Sequence, residues 1–126
     1  MNALGTQLLL ELNGCDSDLL DDLSYVRSTL IKAAEIIGAT IVGESFHKFN
    51  PRGVTGVLAI AESHICIHTW PEYNYAAVDV FTCGNGFDPE KAGEILIKGF
   101  CSAHPSQTIV TRGTLTASME ISQSRS

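Results

Sequence analysis

Between Ala39 and Thr82 the chain repeats one pattern four times: a run of β-branched and apolar residues, then a short break, at Gly, Pro or Asn in three of the four. The runs are Thr40-Ile41-Val42, Val54 to Ile60, Ile65 to Trp70 and Ala76 to Thr82. Branched side chains fit a pleated surface, and connections this short cannot make parallel crossovers, so the pattern requires a largely antiparallel sheet. Thr6 to Leu12 adds a strand closed by Asn13-Gly14, and Thr108 to Thr111 adds a last one.

Two segments carry helical spacing instead. Leu19, Leu20, Leu23, Val26, Leu30, Ala33, Ala34 and Ile37 recur on one face, with Asp16 or Ser17 as cap and Gly38 as a left-handed stop. Asp88-Pro89-Glu90 opens the second helix, whose apolar face is Ala92, Ile95, Leu96, Gly99 and Phe100. The sequence therefore predicts an α+β fold in which two helices cover one face of the sheet. At 126 residues it is a single domain, with residues 118–126 a Ser-rich tail expected to fray. A domain of this size has little room for a broad cleft, which favours a site shared between subunits.

Composition narrows the function. A formal charge of −6, with eight Lys and Arg spread along the chain, provides no basic stripe to track a phosphate backbone, so nucleic acid is not an expected partner. Cys15, Cys66, Cys83 and Cys101 form neither a CxxC motif nor a disulfide framework. Met1-Asn2-Ala3-Leu4-Gly5 has no basic start followed by a long apolar run, and no apolar stretch is long enough for a bilayer. A cytoplasmic protein with reduced thiols and no membrane partner is expected.

Glu62-Ser63-His64-Ile65-Cys66-Ile67-His68-Thr69-Trp70-Pro71-Glu72 concentrates two hydroxyls, a thiol, two imidazoles and two carboxylates in a segment that otherwise reads as strand. Alternation sends His64, Cys66, His68 and Trp70 to one face and Ile65, Ile67 and Thr69 to the other. A metal held by His64, Cys66 and His68 with Cys83 or His47 is one reading, but the spacing matches no zinc signature and no metal is expected. Serine hydrolysis would need a nucleophile elbow that the chain lacks. A plain binding module with satisfied polar side chains is the third reading.

That segment, followed by Tyr75 to Gly84, resembles the short prokaryotic S-adenosylmethionine decarboxylase proenzymes. The resemblance extends to Leu4-Gly5, Gly14-Cys15-Asp16, Gly38-Ala39-Thr40, Phe46-His47-Lys48-Phe49 and Gly53-Val54-Thr55-Gly56-Val57, and so covers most of residues 4–113. It implies self-processing between Glu62 and Ser63 into chains of residues 1–62 and 63–126. Ser63 would become a pyruvoyl group that forms a Schiff base with S-adenosyl-L-methionine and drains electrons as carbon dioxide leaves, yielding the aminopropyl donor for spermidine. Only a residue with a leaving group on its β carbon can be the precursor, which explains the serine.

The resemblance also implies the remaining roles. His68 is the processing base, suited by an imidazole's ability to move protons near neutral pH, and Thr55 supplies a second hydroxyl. Cys83 is the proton donor, since a thiol ordinarily keeps its proton at neutral pH. Glu72 binds the ribose hydroxyls, and Phe49 and Trp70 flank the adenine and the sulfonium. The implied assembly is a homodimer with two sheets stacked into a four-layer αββα sandwich and sites near the interface. Three positions depart from the usual pattern: Asn74 replaces Gly, Gln7 replaces His and Cys66 replaces a hydroxyl residue. A pyruvoyl-dependent arginine or ornithine decarboxylase on the same fold, and an unprocessed binding module, are the competing readings.

Overall fold

The computed structural model describes residues 3–83 and 87–116; the expected frayed tail at 118–126 and Gly84 lie outside the described residues. Six strands form one sheet: β1 (Ala3–Asn13), β2 (Ile41–Lys48), β3 (Val54–Ile60), β4 (Ser63–Trp70), β5 (Tyr75–Cys83) and β6 (His104–Thr114). The order across the sheet is β2-β3-β4-β5-β1-β6, and every neighbouring pair is antiparallel. The four β-branched runs thus form a continuous meander, and β1 is inserted between its last strand and β6.

Two strands are longer than their local residues predict. β2 continues through Phe46-His47-Lys48, and β6 runs from His104 to Thr114 although Pro105, Ser106, Arg112 and Gly113 are poor strand formers. Pairing supplies what propensity lacks: β6 follows β1 from Asn13↔His104 to Ala3↔Thr114.

The first helix is also different from its expectation. In place of one helix from Ser17 to Ile37 there are two, α1 (Ser17–Leu20) and α2 (Leu23–Ile36), so with α3 (Pro89–Gly99) three helices cover the sheet. The cause is a pair of competing caps. Asp16 accepts from the N–H groups of Asp18 and Leu19 at 3.0 and 3.2 Å, and Asp22 starts a new helix by accepting from Tyr25 N–H at 3.1 Å. α2 ends before Gly38, whose φ of 77° is the expected left-handed stop. α3 opens as predicted, with Asp88 capping Glu90 N–H at 3.0 Å and Pro89 in the first turn.

All three helices lie on one face. Leu8, Leu10 and Leu12 of β1, Leu58 and Ile60 of β3, Ile65 and Ile67 of β4 and Val78 and Val80 of β5 are buried against Val26, Leu30, Ala33 and Ala34 of α2, Ala92 and Leu96 of α3, and Phe100. Each fully buried Leu or Ile side chain contributes about 2 kcal/mol of transfer free energy, which makes this one face the principal source of stability. The alternate residues of the same strands, including Leu9, Val57 and Trp70, project from the other face and remain exposed.

Candidate active site

β3 and β4 join through a two-residue turn, Ala61-Glu62, closed by the pair Ile60↔Ser63. Glu62 adopts φ 62°, a left-handed conformation that costs a residue with a side chain roughly 1–2 kcal/mol and that glycine or asparagine usually takes. The bond from Glu62 to Ser63 therefore leaves a strained residue at the tip of a hairpin. Ser63 Oγ accepts from the backbone N–H of Cys83 at 3.3 Å, so the last residue of β5 lies against the first residue of β4. Ser63 and Cys83 are thus neighbours.

A second cluster forms at the opposite end of β4. Thr55 and His68 are direct cross-strand partners, and Thr55 Oγ1 lies 2.8 Å from His68 Nδ1. They line a cavity of about 300 Å3 together with Phe49, Trp70 and Glu72. Five predicted site residues thus share one wall system. Phe49 is packed edge-on to His47 at 4.6 Å, and Trp70 is stacked on Tyr75 at 5.4 Å with the rings 30° apart. Glu72 sits in the 3-10 turn Pro71–Tyr73, which Asn74 terminates with φ 52°.

The three departures from the family pattern are accommodated outside this cavity. Asn74 takes the left-handed backbone expected of it, and its side chain donates to the Cys15 carbonyl at 3.0 Å, away from Glu72. Gln7 accepts from Arg112 at 2.7 Å. Cys66 faces the same side as His68 but lies opposite Asp79; burial first, then the Asp79 charge, push its thiol upward.

The chain does not bring its two clusters together. Ser63 and His68 are five residues apart on one strand, which at strand rise is roughly 16 Å, beyond any proton transfer between them. Among the described residues no three His, Cys, Asp or Glu side chains converge. Nor is any described helix long and apolar enough to cross a membrane. Sequence reasoning missed three cavity residues, Arg52, Gly53 and Thr69. Arg52 and Gly53 stand in a turn signal directly after Phe49, which could have placed them; Thr69 looked like a residue of the covered face, and it does lie buried there.

Comparison with known proteins identifies the family. The family model described as S-adenosylmethionine decarboxylase matches residues 6–113. An S-adenosylmethionine decarboxylase proenzyme from Thermodesulfovibrio yellowstonii is 50% identical over 115 residues, covering 91% of this chain and 85% of that protein. One from Carboxydothermus hydrogenoformans is 46% identical over 123 residues, covering 98% and 97%. The crystal structure of the adenosylmethionine decarboxylase from Aquifex aeolicus VF5 superposes with a TM-score of 0.86 at 32% identity, covering 93% of this chain and 97% of that one. With its hairpin serine, its hydroxyl–imidazole pair and a match spanning nearly the whole sheet, this chain belongs to the S-adenosylmethionine decarboxylase family.

Proposed function

We propose that this protein is a cytoplasmic S-adenosyl-L-methionine decarboxylase proenzyme that cuts itself between Glu62 and Ser63 and works as a homodimer. The observation that carries the reading is the split site. Ser63 with the Cys83 backbone stands at one end of β4, while Thr55, His68, Phe49, Trp70 and Glu72 stand at the other, where His68 and Trp70 reach the uncovered sheet face. Two copies stacked face to face about a twofold axis bring the first cluster of one chain to the second cluster of its partner. Such an αββα sandwich also covers Leu9, Val57 and Trp70, which a single chain leaves in water.

Self-cleavage then has its parts. His68, steered by Thr55, takes the proton as Ser63 Oγ attacks the Glu62 carbonyl carbon, and the C–N bond breaks to leave an ester and a free amine on residue 63. Loss of the α proton of residue 63 expels Oγ with the new carboxylate of Glu62. The unsaturated amine left behind adds water and releases ammonia, which leaves a keto group at the start of residues 63–126. Strain at Glu62 is relieved by the cut, and the β3–β4 and β4–β5 ladders hold the new end in place.

The residues fit a pyruvoyl group, because the only hydroxyl at the hairpin tip is held by the backbone of the proton donor. When formed, that group supplies the electron sink for decarboxylation of an α-amino acid. Cys83 returns a proton to the substrate carbon beside residue 63. Glu72 accepts hydrogen bonds from the two ribose hydroxyls, and Phe49 and Trp70 hold the adenine and the sulfonium. Two aromatic walls with one carboxylate suit a nucleoside better than the guanidinium of arginine or the ammonium of ornithine.

Intact-mass analysis combined with turnover of three substrates tests the proposal. It requires two chains, the second carrying a borohydride-reducible carbonyl, and higher kcat/KM with S-adenosyl-L-methionine than with arginine or ornithine. One uncut chain after long incubation, or preference for either amino acid, overturns it.

A further inference from the structure

We propose that Asp21, in the break between α1 and α2, is a positioning residue that sets the nucleoside end of the substrate cavity. The inference rests on the reading of Phe49 and Glu72 as substrate-binding residues. Residues 49–53 connect β2 to β3 and carry Phe49 and Arg52 over the cavity. Both legs of the loop bond to one atom outside it. Asp21 Oδ1 accepts from Gly53 N–H at 2.8 Å and from Lys48 Nζ at 2.9 Å, while Phe49 N–H donates to the Gly53 carbonyl at 2.8 Å.

A carboxylate is suited to this task because its oxygen can accept from an amide and an ammonium at once, and charged hydrogen bonds are about twice as strong as neutral ones. Gly53 has φ 106°, a conformation that side chains avoid and that turns its N–H toward Asp21. The Gly53 amide first and Lys48 second hold the Asp21 carboxyl below its ordinary range.

The same short element reaches the other walls. Thr69 Oγ1 donates to the Leu20 carbonyl at 2.8 Å and accepts from Val54 N–H at 2.8 Å, and Ser17 Oγ donates to the Pro71 carbonyl at 2.9 Å beside Glu72. α1 and Asp21 thus join the aromatic loop, the end of β4 and the acidic turn. An unbroken helix would keep its backbone carbonyls for itself; the break releases Leu20 O and frees Asp21 to face the loop.

Steady-state kinetics of Asp21→Ala and Asp21→Asn, purified as the full chain, test the proposal. Losing both bonds in Asp21→Ala is expected to raise KM for S-adenosyl-L-methionine about tenfold, with kcat within twofold and cleavage at Glu62–Ser63 complete by mass. Asp21→Asn keeps an acceptor for Gly53 N–H and is expected to fall between the alanine variant and the parent. An unchanged KM in Asp21→Ala, or kcat falling by the same factor as KM rises, overturns the assignment. Failure of the functional reading would look different, because the unsubstituted chain would then remain uncut or leave S-adenosyl-L-methionine unturned.

Discussion

Both faces of the sheet are built from the same strands, yet adjacent residues have opposite fates. Ile65 and Ile67 are fully buried under the helices, whereas His64, Cys66 and His68 between and beside them reach the uncovered side. Because side chains alternate with period two, one strand can specify packing and chemistry independently. The covered face has little room for change, since a protein interior is close-packed. The open face tolerates polar and reactive groups because no helix of this chain packs on it.

The largest effect expected from this contrast is at Ser63. Ser63→Ala should abolish cleavage and reduce turnover to background while leaving the melting temperature near that of the uncut parent. Mass spectrometry with a carbon dioxide release assay reads it. Retained turnover in that variant would remove the proposed chemistry altogether.

Ile67 and His68 make the sharpest pair, as neighbours on one strand that face opposite ways. His68→Ala should slow cleavage on the order of a hundredfold or more, with little loss of stability. Ile67→Ala removes buried volume and should cost about 3 kcal/mol, seen as an earlier midpoint in urea, while the molecules that remain folded still cleave. If the two variants exchanged phenotypes, the division of labour between faces would be wrong.

How much of this division is legible in the sequence differs by region. The alternation in β4 is fully visible in Ile65, Ile67 and Thr69 against His64, Cys66 and His68, because a strand's period needs no tertiary information. The Asp88-Pro89 helix start is equally local. The break at Asp21-Asp22 is not: apolar spacing carries through it, and the Asp22 cap that restarts the helix gains its meaning only beside the loop that Asp21 holds. The full length of β6 is hidden for a similar reason, since pairing with β1 rather than its own residues extends it beyond the strand expected at Thr108 to Thr111. Ser63, His68 and Cys83 stand out as reactive residues, but the distance separating Ser63 from His68 becomes evident only when five residues of strand are laid between them.

A smaller effect concerns the uncovered face itself. Val57 is 40% exposed and lies on the same side as Cys66, its cross-strand partner. Val57→Lys would place a charge in the centre of a stacked dimer while remaining hydrated in a lone chain, so it should weaken association with little change in monomer folding. Sedimentation at micromolar concentration should show a shift toward 13.5 kDa, and a dimer unchanged by the lysine would place the interface elsewhere.

The smallest effect compares thiols. Cys15 is buried on the helix side and bonded to the Leu12 carbonyl at 3.4 Å, and burial pushes its pKa up from 9.0 to about 11. Cys101 is exposed. Native protein at pH 8 should therefore be alkylated at Cys101 well before Cys15, because the thiolate is the reactive form and folding withholds it. The linkage has a definite sign. A thiol whose folded pKa lies above its unfolded value stabilises the fold fully below pH 9 and loses that contribution as pH rises toward 11. Cys15→Ala should accordingly show a shallower decline of melting temperature between pH 9 and 11 than the parent, and equal slopes would mean that Cys15 ionises as readily in the fold as in the open chain.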